Sequence, residues 1–149
     1  MEETPTPSEL NQQEMCDAYV LGQFEELRKA HEARDMVKLL GIVEECLHCF
    51  SFLPQEVTAP YKDFFVSMAV LVRLRRAEEL FGFSVQDRVN CKGYLEEMRA
   101  VLAEAMQYPF VPLPESLDTE FPGLLTPHVI AKIQGLRTRV ENSLRKSVP

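Results

Sequence analysis

Apolar side chains recur every three or four positions in five stretches of this chain, and each stretch opens on a residue suited to cap a helix. The first runs from residue 8 to about 33, with Ser8 as its cap and Cys16, Val20, Phe24, Leu27 and Ala30 as its stripe. Gly22 falls inside it and weakens it by about 1 kcal/mol relative to Ala, so packing must hold it. Asp35 caps the second after a very short connection, which predicts an antiparallel hairpin. Its stripe, Met36, Leu40, Val43, Leu47 and Phe50, keeps the 4-3-4-3 spacing of a bundle seam.

The third stretch opens at Thr58, with Pro60 placed in the first turn, where its missing N–H does no harm. From Phe64 to Leu74 it is apolar on nearly every side, which predicts a helix surrounded by others. Gly82 is the expected stop. Ser84 and Asp87 then resemble a capping box for the fourth helix, whose stripe is Cys91, Leu95, Met98, Leu102 and Ala105. Thr126-Pro127 opens the last helix by the cap-plus-proline signature, with Val129, Ile133, Leu136, Val140 and Leu144 along one face. No run alternates with the period of two that marks a strand. The pattern therefore predicts an all-α fold, an antiparallel bundle of four to five helices with the third at its centre. Residues 1–7 read as a disordered tail, and residues 8–149 as a single helical-bundle domain.

Residues 108–125 break the pattern. Four prolines forbid a regular helix through most of this long connection, and Phe110, Leu113, Leu117 and Phe121 punctuate it. Prolines 109, 112 and 114 preorganise an extended strand that holds Phe110 and Leu113 out at low entropic cost. The segment either lies in a groove of its own bundle or presents those side chains to another protein. Self-docking is the favoured reading, because so many exposed large apolar groups invite aggregation.

Charge and cysteine use narrow the class. The 149 residues carry a net charge of −7, unevenly: residues 1–35 hold nine acids against three basic groups, whereas residues 126–149 hold five basic groups against Glu141 alone. A chain so divided is a poor general nucleic-acid binder, because phosphate neutralisation needs a continuous basic surface. Four cysteines without a glycosylation sequon do not read as a secreted disulfide framework, and the acidic, proline-rich start reads as neither a signal nor a transit peptide. The longest apolar run, Phe64 to Val72, is too short to span a bilayer. These points predict an intracellular protein, cytoplasmic or nuclear.

Catalytic and metal chemistry find little support. Cys46-x-x-Cys49 has no second pair to complete a tetrahedral zinc site, and it falls in the last turns of a helix, where the dipole opposes a thiolate. Glu45-x-x-His48 occurs once, half of what a di-iron bundle needs. Paired acids such as Glu25-Glu26 and Glu96-Glu97 recur opposite the apolar stripes, as solvated faces do. The six glycines are isolated, so no phosphate loop exists. No cofactor is expected.

Arg73, Arg75 and Arg76 form the sharpest basic cluster, read as a salt-bridged exit from the core toward Glu78 and Glu79 or as an anionic-peptide contact. The expectation is a non-enzymatic protein–protein interaction module, an adaptor or structural subunit of an intracellular assembly. Phe110, Leu113 and Phe121 are its candidate contacts, and the three arginines a second set. The alternative is a bundle that carries an apolar ligand or metal in a pocket pliable with Met15, Met36, Met68, Met98 and Met106.

Overall fold

A computed structural model describes residues 7–147 of the chain. Every regular element among them is helical: α1 (Pro7–Glu32), α2 (Met36–Phe50), α3 (Gln55–Gln86), α4 (Cys91–Ala105), the single turn α5 (Leu117–Glu120) and α6 (Val129–Ser147). The expected tail falls on residues 1–6, outside the described residues, save for Pro7, which already belongs to α1. The chain divides into two compact units, with the boundary inside α3 between Phe65 and Val66.

In the first unit, α1 and α2 pack on each other. Ser8 is not the cap predicted for α1, since it lies within the helix. The far end of α1 closes in a Schellman motif: Arg34 adopts φ +56°, its N–H bonds to the His31 carbonyl at 3.0 Å, and the Asp35 N–H reaches the Ala30 carbonyl at 2.9 Å. Asp35 then caps α2 as predicted, its carboxylate accepting from the Lys38 N–H at 3.0 Å. One residue thus ends one helix and starts the next, which is why the connection is so short.

The buried face of α2 differs from the predicted stripe. Leu39, Val43, Cys46 and Phe50 are buried, whereas Met36, Leu40 and Leu47 are half-exposed. The face is rotated toward Leu39 and Cys46. Phe24, Phe50, Phe64 and Phe65 build the aromatic heart of this unit, with ring centroids 5.0 to 6.0 Å apart for the pairs Phe24–Phe64, Phe24–Phe65 and Phe50–Phe65.

Both expected ends of α3 are corrected. It begins at Gln55, because the Pro54 carbonyl already accepts the Val57 and Thr58 N–H groups at 3.0 and 3.3 Å. Thr58 is buried, its hydroxyl donating to the Gln55 carbonyl at 3.4 Å. Pro60 therefore lies in the second turn, on an exposed stretch. Gly82 does not stop the helix: lacking a positive φ, it is an ordinary helical residue, and α3 runs on to Gln86. Ser84 and Asp87 form no capping box. The Ser84 hydroxyl donates to the Phe81 carbonyl at 2.6 Å, and the Asp87 carboxylate accepts from the Asn90 side-chain and backbone N–H groups at 2.8 and 3.3 Å, closing the turn into α4.

In the second unit, Val66 through Leu74 are all buried, Ser67 and Arg73 included. Leu95, Met98, Leu102 and Ala105 of α4 face inward as predicted, Cys91 at its start is half-exposed, and α4 packs on α6. Val129, Ile133, Val140 and Leu144 fill the buried face of α6, whereas Leu136 of the predicted stripe is half-exposed. That helix starts after the predicted Thr126-Pro127: the His128 carbonyl, on a residue at φ +55°, accepts the first helical bond from Lys132 at 2.9 Å.

Candidate interaction surfaces

The second unit brings together residues that the sequence presents as two separate sets. Ser67, on the buried length of α3, donates its hydroxyl to the Val111 carbonyl at 2.8 Å and accepts the Val111 N–H at 3.0 Å. A single side chain so satisfies both backbone groups of one residue in the proline-rich segment, as a neighbouring strand would. One turn and a half further along α3, the Arg73 guanidinium stands over the Tyr108 ring, 5.0 Å from its centroid. The same group bonds to Glu104 and to the Ala69 carbonyl, each at 3.4 Å. Arg75 then donates to the Gly123 carbonyl and pairs with Glu78 at 3.3 Å. Gly123, at φ +80°, turns back so that its N–H meets the Asp118 carboxylate at 3.1 Å, a conformation that favours glycine.

The six candidate contact residues therefore differ in what they offer. Phe121 is 1% exposed and Arg73 2%; both are core residues of this unit and present no surface. Phe110 and Leu113 are half-buried, and Val111 between them is 40% exposed. Arg75 and Arg76 are partly exposed; Arg76 pairs with Glu79 at 3.2 Å and Glu97 at 3.4 Å. Among the described residues, Arg76 Nε is a buried side-chain polar atom without a hydrogen-bond partner.

A second surface escaped the sequence reading. A groove of about 770 Å³ runs between α4 and α6, lined on one side by Arg99 and Ala103 and on the other by Gln134, Arg137, Thr138, Glu141 and Arg145 among others. Arg99 reaches Glu141 at 3.7 Å. The signal was present in the spacing of Arg137, Glu141 and Arg145, which share one face of a helix, but a partner wall on α4 is a tertiary fact.

Cys16 and Cys46 are buried, and all four cysteines are free thiols. The Tyr19 hydroxyl donates to Cys49 Sγ at 3.6 Å. Burial pushes the Cys46 thiol up to about 11, and burial followed by the Asp17 charge raises Cys16 as well. Thiols so placed are protonated at neutral pH and poor nucleophiles. Glu45 and His48 are exposed, His48 meeting the Phe52 ring edge-on at 5.0 Å. Among the described residues no three His, Cys, Asp or Glu side chains are grouped to hold a metal ion, and no helix is long and apolar enough to cross a membrane. The chain matches no protein-family model, no curated protein and no solved structure.

Proposed function

We propose that this chain is a non-enzymatic interaction module, an adaptor or structural subunit of an intracellular assembly, cytoplasmic or nuclear, that displays its proline-rich segment to a protein partner. The observation that carries the reading is the clamp on Val111: Ser67 fixes its backbone while its side chain stays 40% exposed between half-buried Phe110 and Leu113. A segment held rigid before contact loses little entropy when a partner arrives, so its apolar side chains convert into affinity efficiently. Arg75, which donates to the Gly123 carbonyl, and Arg76, both paired but partly exposed, add charge to the same unit. The reading places α3 at the centre of an antiparallel helical bundle, supported by the unbroken burial of Phe65 through Leu74.

Affinity purification of the tagged chain from cells, followed by mass spectrometry and repeated with Phe110→Ala, tests the display. Truncating a central aromatic anchor costs about 2 kcal/mol or more of affinity, so a partner held by this segment is lost from the variant. A partner set unchanged by Phe110→Ala, with an unchanged circular dichroism spectrum, overturns the reading.

A further inference from the structure

The groove between α4 and α6 differs in character from the proline-rich face, and none of its lining residues belongs to that segment. Three guanidinium groups, Arg99, Arg137 and Arg145, line it against one carboxylate, Glu141, in a chain whose overall charge is −7. Arg73, Arg75, Arg76 and Arg99 are each ion-paired. Among the described residues, Arg137 and Arg145 have no ion-pair partner. They lie eight positions apart on one helix face, about 12 Å along the axis at 1.5 Å per residue. The lining also includes the small side chains Ala103 and Thr138, one from each helix, beside Gln134, Val140 and Asn142.

We propose that this groove docks an acidic helix of a partner protein, with carboxylates seven or eight residues apart pairing with Arg137 and Arg145. Two packed helices leave a furrow into which a third settles at an axis separation of about 8 to 10 Å, and small residues on the walls permit that approach. Guanidinium groups suit the role because they meet carboxylates through two parallel hydrogen bonds. A nucleic-acid strand fits less well. Its phosphates carry a charge every few ångströms and call for a continuous basic track, whereas Glu141 interrupts this one. Among the described residues no aromatic side chain lines the groove to stack a base.

The proposal goes beyond the display reading and is tested on different residues. A fluorescein-labelled helical peptide of about 18 residues, long enough to hold a helix and carrying glutamates at that spacing, is titrated with the full chain by fluorescence anisotropy. The chain binds it, and a glutamine version of the peptide fails to bind. Arg137→Glu with Arg145→Glu weakens binding about tenfold or more, while Arg88→Glu, an exposed charge reversal outside the groove, changes it less than about twofold. Phe110→Ala leaves this titration unchanged, so the two readings stand or fall separately. Should the double reversal lower helicity, Arg137→Gln and Arg145→Gln singly give the same ordering. Equal losses from Arg88→Glu, or no binding of the acidic peptide, overturn the proposal. So does a single-stranded oligouridylate that binds more tightly than the peptide through the same arginines, or self-association of the chain that the double reversal abolishes.

Discussion

Arg34 sits at φ +56°, in the left-handed region that costs a residue with a β-carbon about 1 kcal/mol or more. The Schellman closure of α1 demands that conformation, and the neighbouring Asp35 demands the short turn. Glycine there removes the strain but adds freedom to the unfolded chain, so Arg34→Gly raises stability by a net of about 0.5–1 kcal/mol. Urea unfolding reads this as a higher midpoint at unchanged slope. A lower midpoint would show that the Arg34 side chain contributes more than its backbone costs. Asp17 is the second instructive residue. It accepts from the Tyr61 hydroxyl and from Gln13, at 2.9 Å for the latter, and these donors hold its carboxyl below its ordinary value. The same bond pushes Tyr61 up to about 12. A lowered folded-state pKa means stability that is present at neutral pH and lost as the carboxylate protonates in acid, below the ordinary value of about 4. The wild-type chain is therefore harder to melt than Asp17→Asn at pH 7, and the gap closes in strong acid. A gap of constant size across that range would remove the Asp17 charge from the account.

At the scale of elements, Ser67 decides how the proline-rich segment lies. In sequence it reads only as the one polar break in an apolar run; in the fold it supplies both hydrogen bonds to Val111. Ser67→Ala strips those bonds from a fully buried position and costs about 1–2 kcal/mol. The helices survive while the segment loosens, so limited chymotrypsin cuts after Phe110 sooner than in the wild type, at unchanged helical signal. Resistance equal to the wild type would mean that Phe121 and Leu124 anchor the segment unaided. The stripes of α1, α4 and α6 were legible because burial of one face imposes a period that any neighbour satisfies. The ends of α3 were not. Thr58 and Gly82 carry boundary chemistry, yet Pro54 caps from the backbone alone, and Gly82 takes ordinary helical dihedrals inside α3. Arg73 was legible as a charge but not as a buried one, because Tyr108, 35 positions away, covers it. The α4–α6 groove was half legible, in the spacing of its arginines and not in its opposite wall.

For the whole molecule, the sign of the net charge and the sign of the groove disagree, and distance settles which governs docking. A charge of −7 repels an acidic partner at long range. At physiological ionic strength the Debye length is about 8 Å, so acidic groups farther than that from the groove are largely screened and only a weak repulsion is left. Within the groove the separations shrink to those of hydrogen bonds, where two unpaired guanidinium groups outweigh one carboxylate already engaged by Arg99. The net charge then acts as a filter. It slows encounter with any acidic surface whose carboxylates do not match the spacing of Arg137 and Arg145, and it leaves matched partners their short-range pairs. The concentration of basic residues in the last helix of an acidic chain thus favours selectivity over strength.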